Sequence, residues 1–278
     1  MKKQTIRDRF WLWGMKVNVL QQESERFAKL FGKSTITVEQ AMQATGARNV
    51  IMAGGLEFDR ESLDAMPSAR RIICKWAFHR ATADKDGMSV GVVDEQESMG
   101  LLMAAKELAA QDPRIEGFLV DDFSTGSIDA GVKPEHLARL QFANATRGPA
   151  RPLNGTIYTM TVDRPELPAL LPYFSQLLVP LWHADQIATV PAALDRLTEM
   201  TGGTPMMLCL YLYDFGNKKQ MTRRLMQQHL DLSEELLLGS RISGLCICGT
   251  CMMDLDWESN PCLREWLERV GDRTIKGA

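Results

Sequence analysis

Residues 115–122 read IEGFLVDD, an apolar run that stops at two adjacent carboxylates. The run is continuously apolar instead of alternating, as is typical of parallel strands that are buried on both faces. Seven further runs of this kind recur along the chain: RFWLWGM (9–15), NVIMAG (49–54), RIICKWAF (71–78), NGTIYTM (154–160), QLLVPLW (176–182), PMMLCLYLYD (205–214) and ISGLCICGT (242–250). The sequence therefore predicts eight buried parallel strands.

Amphipathic segments with helix signals separate most of these runs. Pro134 stands in a first helical turn, and Thr189 and Gly202-Gly203 mark a helix start and a helix stop. We expect helices in segments 92–112, 133–146, 189–203, 222–240 and 261–271, and only a short helix in 164–174. Repeated strand–helix units indicate an α/β protein with a single (β/α)₈ TIM barrel domain over residues 1–278. A doubly wound sheet is the alternative, but no Gly-x-Gly-x-x-Gly follows the first strand.

The bulk properties exclude several classes of protein. The net charge of −3 argues against a nucleic-acid partner, whose binding protein would be basic. No apolar run approaches the roughly 20 residues that cross a bilayer. The first 14 residues lack the apolar core of a secretory signal. We therefore expect a cytoplasmic protein with a small-molecule substrate.

The six cysteines do not form the pattern of a disulfide framework. Four of them, Cys74, Cys209, Cys246 and Cys248, lie in apolar runs, where cysteine behaves as a small hydrophobic residue. The stretch CICGTC (246–251) presents only one half of the paired pattern of a structural zinc site. We therefore expect reduced core thiols and no resident metal or cofactor.

Barrel enzymes carry their reactive groups at the carboxyl ends of the strands. Three carboxylates at such positions are candidate catalytic residues, namely Asp121, Asp122 and Asp214. Adjacent residues of an extended strand point to opposite faces, so we expect only one of Asp121 and Asp122 to face the barrel axis, and we favour Asp122. The structural alternative for Asp214 is a loop cap on the sequence DFGN.

Aromatic and basic side chains gather at the same strand ends and are candidate substrate-binding residues: Trp13, Lys75, His79, Tyr158, Trp182, His183, Tyr213 and Trp257. Aromatic faces together with carboxylates suit a ligand rich in hydroxyl groups, such as a carbohydrate. Packing under loops is the alternative for each tryptophan, and pairing with a neighbouring acid is the alternative to a nucleophilic Lys75. We expect His229, on a predicted helix, to be solvated or partly packed.

The strand-end motifs FWLWG, GFLVDDF, LYLYDFGN and GLCICGTCMMDLDWE resemble those of glycoside-hydrolase-like (β/α)₈ proteins. The resemblance implies a TIM barrel that acts on carbohydrate. Barrels of the largest retaining superfamily carry glutamates where this chain has Asp122 and Asp214, whereas α-glycosidase-like barrels place an aspartate nucleophile at strand four. The stretch DLDWE (254–258) is similar to the chitinase signature, but it follows strand eight instead of strand four.

Three functions follow as hypotheses. The first is a glycoside hydrolase that uses a strand-four aspartate with Asp214 or a strand-eight carboxylate. The second is a metal-dependent lyase or isomerase with Asp122, His183 and Asp214 as ligands of a divalent metal. The third is a barrel that binds a saccharide without catalysis.

Overall fold

The computed structural model describes residues 3–17, 19–20, 31–85 and 88–275. These residues form the following strands: β1 (Phe10–Gly14), β2 (Asn49–Met52), β3 (Arg71–Ala77), β4 (His79–Lys85), β5 (Met88–Val93), β6 (Ile115–Asp121), β7 (Leu153–Thr156), β8 (Gln176–Pro180), β9 (Met206–Tyr211), β10 (Tyr213–Asp214), β11 (Lys219–Gln220) and β12 (Gly244–Cys248).

Eight of these strands close into a parallel barrel in the order β1-β12-β9-β8-β7-β6-β3-β2. They are the eight runs that the apolar pattern predicted, so the predicted TIM barrel is confirmed. Most of their residues are buried, and β1, β2, β9 and β12 are buried at every position. Burial on both faces explains why these strands lack the apolar–polar alternation of a half-exposed sheet.

Helices alternate with the barrel strands, with the following bounds: α1 (Val38–Thr45), α2 (Arg60–Asp64), α3 (Glu95–Gln111), α4 (Pro134–Thr146), α5 (Leu167–Leu170), α6 (Val190–Thr201), α7 (Arg223–Leu238) and α8 (Ser259–Val270). The five longer helices expected from the sequence are confirmed, as is the short α5. Pro134 opens α4, and Gly202 ends α6 with a φ of 68°, a conformation that glycine adopts without strain.

The sequence did not predict the antiparallel hairpin of β4 and β5. This hairpin follows β3 directly, at the carboxyl end where a barrel enzyme carries its site loops. The apolar run of β3 ends at Phe78, and β4 lacks the continuous apolar character of the barrel strands.

The residue contacts divide the chain into two compact units. The first comprises Met1–Ile72, His183–Ile187 and Leu208–Ala278, in which β1 pairs in parallel with β2 and with β12. The second comprises Ile73–Trp182 and Ala188–Met207, in which β7 pairs in parallel with β6 and with β8. The single domain remains a prediction.

All six cysteines are buried, which confirms their expected place in the core. Burial raises the pKa of the Cys74 thiol to about 12, so this thiol stays protonated. Within the described ranges, no helix combines the length and the apolar character needed to span a bilayer.

Candidate functional site

Asp121 is the last residue of β6, and partners from both neighbouring strands hold its carboxylate. Lys75 Nζ, from β3, lies 2.9 Å from Asp121 Oδ2. Thr156, the last residue of β7, donates a hydrogen bond from Oγ1 to Asp121 Oδ1 over 3.3 Å. The parallel register explains this contact, since Val120 pairs with Gly155 and the next residues therefore lie side by side. Three adjacent strands thus end in one polar row, Lys75–Asp121–Thr156.

The alternation of the strands shows which way this polar row faces. A Cβ atom on Gly155 would lie 2.9 Å from the ring of Phe174, which belongs to the connection between β7 and β8. Such connections run outside a barrel, so Gly155 faces outward and its neighbour Thr156 faces inward. Asp121 and Lys75 contact Thr156 or each other and therefore share the inner face. The sequence reasoning had favoured Asp122 for this position.

Asp122 leaves the strand conformation altogether. Its φ and ψ are 47° and 32°, in the left-handed region, which aspartate and asparagine adopt more readily than most other residues. Asp122 is therefore not part of an extended pair with Asp121, and the alternation of a strand does not determine its direction. Tyr158 donates a hydrogen bond from its phenol to Asp122 Oδ1 over 2.6 Å. The turn thus places the second carboxylate beside an aromatic side chain that follows β7.

A π-helical turn, Phe123–Ser127, follows Asp122 and holds Tyr158 in place. Ser124 Oγ accepts hydrogen bonds from the Tyr158 backbone N–H over 3.0 Å and from Thr161 Oγ1 over 2.7 Å. The ring of Tyr158 meets Trp182 edge to face, with 5.7 Å between centroids. Single π turns occur frequently at functional sites. This one fixes Asp122, Tyr158 and Trp182 as a connected group.

His79 is buried next to the polar row. Its Nδ1 lies 3.2 Å from Ser127 Oγ, whereas its buried Nε2 has no hydrogen-bond partner among the described residues. Burial lowers the pKa of His79, although the negative charge of Asp121 acts in the opposite direction. The imidazole is therefore neutral at pH 7, and a neutral ring both donates and accepts a hydrogen bond.

Asp214, in the first unit, has a different environment. Its side chain is fully buried. Its Oδ1 accepts hydrogen bonds from the backbone N–H groups of Ala184 and Asn217 over 3.2 and 3.1 Å. The Asn217 amide donates to its Oδ2 over 3.0 Å, and Lys219 Nζ lies 4.0 Å from that oxygen. These hydrogen bonds are those of a side chain that caps the loop Asp214–Asn217, which is the structural alternative stated above. The catalytic role of Asp214 remains a prediction.

The other predicted binding residues of the first unit are packed. Tyr213 and Trp257 are 2% and 5% exposed, and their ring centroids lie 4.8 and 5.6 Å from that of Phe31. His183 is half-buried against Gly216, where a Cβ atom would collide with the imidazole. Trp13 is buried in β1. Tyr213 and Trp257 thus pack around Phe31, and the role of all four side chains in binding remains a prediction.

His229 is a residue whose importance the sequence reasoning missed. The expectation of a solvated or partly packed side chain is wrong, because His229 is only 1% exposed. Its Nε2 lies 2.7 Å from the carbonyl oxygen of Ala184, the residue whose N–H binds Asp214. Asp214 thus binds the backbone N–H of Ala184, and His229 binds the carbonyl group of the same residue. A helical histidine in an amphipathic pattern carries no signal of such a contact.

We expect the stability of the protein to fall as the pH drops from 7 to 5, in part because of His229. Burial lowers the pKa of His229 in the folded state, so the unfolded chain binds a proton first as the pH falls below about 6.5. The contribution of neutral His229 to the unfolding free energy is therefore fully present above about pH 6.5. It decreases as the pH falls toward the lowered pKa of the folded state, by at most about 1.4 kcal/mol per pH unit.

Urea unfolding of the wild type and of His229→Gln, followed at several pH values, measures this effect. The variant retains an N–H donor for the Ala184 carbonyl but has no group that titrates in this range. A smaller loss of unfolding free energy in His229→Gln than in the wild type is expected. Equal losses in both proteins would show that His229 does not contribute to the pH dependence.

The comparisons with known proteins identify the fold class and no sequence family. No protein-family model and no curated protein sequence matches the chain. A β-glucuronidase from Bacteroides uniformis superposes with a TM-score of 0.59 at 10% identity, over 89% of this chain and 30% of that one. The chain thus spans less than a third of this larger protein.

Two smaller domains match over almost their whole length. The catalytic domain of a chitinase from Pyrococcus furiosus superposes with a TM-score of 0.58 at 10% identity. The match covers 95% of this chain and 96% of the chitinase domain. The PgaB glycoside hydrolase domain from Bordetella bronchiseptica has a TM-score of 0.55 at 8% identity, with coverages of 96% and 99%. The chain therefore has a TIM-barrel fold that is distantly similar to those of glycoside hydrolase domains.

Proposed function

We propose that this protein is a carbohydrate-active enzyme of the glycoside hydrolase type, with Asp121 as the carboxylate that meets the anomeric carbon. The observation that carries the proposal is the place of Asp121, at the carboxyl end of a barrel strand and on its inner face. The barrels that the fold resembles include a chitinase and a β-glucuronidase, whose substrates are carbohydrates. A carbohydrate is therefore the proposed ligand of this chain.

Asp121 acts as nucleophile or as general base in this proposal. As nucleophile, its oxygen forms a bond to the anomeric carbon while the bond to the leaving oxygen breaks, and water later releases the sugar. As base, it removes a proton from the water that attacks the same carbon. Lys75 and Thr156 orient the carboxylate in either case, because each contacts one of its two oxygens.

Asp122 is the second carboxyl group of the same strand end and our candidate for the proton donor to the leaving oxygen. Tyr158 holds it through one oxygen, in the left-handed turn that separates it from the strand. Tyr158 and Trp182 are buried beside this carboxyl group and meet edge to face, so in this proposal they support the site from below. His79 and Lys75 offer hydrogen bonds to sugar hydroxyls.

The metal-dependent alternative finds less support. No three His, Cys, Asp or Glu side chains of the described residues lie close enough together to hold a metal ion. In particular, Asp122, His183 and Asp214 form no such group. The cytoplasmic location remains a prediction from the sequence.

The proposed function is tested by incubating the purified chain with a panel of 4-nitrophenyl glycosides and with chito-oligosaccharides. We expect turnover of at least one compound, measured as released 4-nitrophenol or new reducing ends, and no effect of a chelator. Binding of a saccharide without turnover would favour the non-catalytic barrel. Activity that requires an added divalent metal would favour the lyase or isomerase.

A further inference from the structure

A basic cleft lies in the first unit, at the amino ends of the barrel strands. Its volume is about 460 Å³, and its lining includes five basic side chains and one carboxylate: Lys3, Arg9, Arg48, Arg70, Arg71 and Asp8. This concentration of positive charge contrasts with the net charge of −3 for the whole chain. Barrel enzymes work at the opposite, carboxyl ends of their strands, so the glycoside hydrolase proposal does not account for this cleft.

The fold itself brings the arginines together. Arg9 directly precedes β1, Arg48 directly precedes β2, and Arg71 opens β3, which are three neighbouring strands of the barrel. The backbone N–H groups of Arg70 and Arg71 donate to the Arg48 carbonyl over 2.7 and 3.3 Å. These side chains therefore lie close together because the barrel places the starts of the three strands next to one another.

Two of the arginines have structural partners. Arg9 donates to the Ser243 carbonyl over 2.8 Å and to Gln4 Oε1 over 2.7 Å, and the Arg71 guanidinium lies 4.9 Å from the ring centroid of Trp11. Among the described residues, the exposed Arg48 and Arg70 form no side-chain hydrogen bond or short ion pair, and their positive charges act on the Asp8 carboxylate, whose pKa they help to lower. Packing thus accounts for Arg9 and Arg71, whereas Arg48 and Arg70 share the charge of a single carboxylate, Asp8.

The single carboxylate of the cleft does not neutralise this charge. Asp8 Oδ2 accepts hydrogen bonds from the Thr5 N–H and from Thr5 Oγ1, both over 2.9 Å. Burial and the positive charge of Arg71 lower the pKa of Arg9, whereas the negative charge of Asp8 acts in the opposite direction, so the guanidinium groups of Arg9 and Arg71 repel one another. An anion between these groups would remove the repulsion.

We propose that this cleft binds a small phosphate-bearing anion. Guanidinium groups present several N–H donors in a planar fork that matches the oxygens of a phosphate. The cleft volume lies in the range of small-molecule sites and suits a pyrophosphate or a compact phosphate ester. Arg48 and Arg70 are the residues that contact the anion, while Arg9 and Arg71 fix the floor of the cleft.

Thermal unfolding of the full chain with added pyrophosphate tests the proposal, with sodium chloride of equal ionic strength as reference. Well above its dissociation constant, pyrophosphate is expected to raise the Tm of the wild type by about 5 °C. Arg48→Gln/Arg70→Gln is expected to lose this shift and to unfold at or above the wild-type Tm without pyrophosphate. Arg224→Gln/Arg264→Gln, which removes the same charge from exposed positions on α7 and α8, is expected to keep it.

Several outcomes would overturn the proposal. An equal shift in all three proteins would indicate a general effect of the salt, and no shift in the wild type would show that the cleft does not bind the anion. A lower Tm of Arg48→Gln/Arg70→Gln without pyrophosphate would assign the two arginines a structural role. Tighter binding of single-stranded RNA than of pyrophosphate would identify a different class of ligand. Glycoside turnover is independent of each result.

Discussion

Asp121→Asn is expected to lower kcat/KM on the best glycoside of the panel by about 10⁴-fold. The amide has nearly the shape of the carboxylate and retains one oxygen, which accepts a hydrogen bond from either Lys75 or Thr156, but it is a poor nucleophile and a poor base. The loss of the ion pair with Lys75 is expected to cost only about 1–2 kcal/mol of unfolding free energy. Steady-state kinetics and urea unfolding of the same preparation separate the two effects.

Asp122→Asn is the matched control, since asparagine also adopts the left-handed conformation that this position requires. Because Asp122 is the proposed proton donor, Asp122→Asn is expected to lose activity on glycosides with poor leaving groups. It is expected to retain activity on 2,4-dinitrophenyl glycosides, whose leaving group needs no proton. Asp121→Asn is expected to fail on both kinds of substrate. Wild-type activity of Asp121→Asn, or the reversed pattern, would contradict the assigned roles.

Asp214→Ala is expected to destabilise the protein by about 3 kcal/mol. The fully buried carboxylate accepts hydrogen bonds from two backbone N–H groups and from the Asn217 amide, and its removal leaves these donors without their acceptor. The Ala184 N–H then loses its bond while His229 still holds the Ala184 carbonyl. Equilibrium unfolding in urea measures the change.

Asp185→Ala is the control for this prediction. Asp185 is exposed and accepts one hydrogen bond, from the Asn217 amide over 3.1 Å. Its removal is expected to cost less than about 1 kcal/mol. A variant Asp214→Ala with wild-type stability and no glycoside turnover would contradict the structural role and favour the catalytic role that the sequence suggested.

The barrel was predictable because its strands and helices have different apolar periods. Runs such as 115–122 are apolar throughout, whereas α3 to α8 show helical spacing and carry end signals such as Pro134 and Gly202. The β4–β5 hairpin was not predictable in this way. It forms a separate two-stranded sheet outside the barrel, so its strands do not have to be apolar on both faces.

The candidate site was predictable only in part. The rule that barrel sites lie at the carboxyl ends of strands selected Lys75, Asp121 and Tyr158, which the fold brings into one connected group with Asp122. The choice between Asp121 and Asp122 depended on a backbone that stays extended, but the φ of Asp122 is 47°. Thr156 was missed because its contact with Asp121 depends on the register between β6 and β7, which the sequence does not reveal.

Asp214 shows a further limit of the sequence pattern. Both residues end an apolar run of the sequence, but Asp121 ends the barrel strand β6, whereas Asp214 lies beyond the barrel strand β9, in the short β10. The donors around the two carboxylates also differ: Asp214 binds two backbone N–H groups and the Asn217 amide of its own loop, whereas Asp121 binds side chains of neighbouring strands. Strand-end position therefore indicates candidates, and the hydrogen-bond partners distinguish a loop cap from a reactive group.

Chemical rescue of Asp121→Ala by azide tests whether the Asp121 carboxylate meets the anomeric carbon of the substrate. If the Asp121 carboxylate lies where the anomeric carbon reacts, a small anion in the vacated space can attack that carbon in its place. We expect azide to restore turnover of an activated glycoside by Asp121→Ala, and we expect mass spectrometry to detect the glycosyl azide. Residual activity that azide does not change, in a variant that is folded and binds the glycoside, would contradict this role of Asp121.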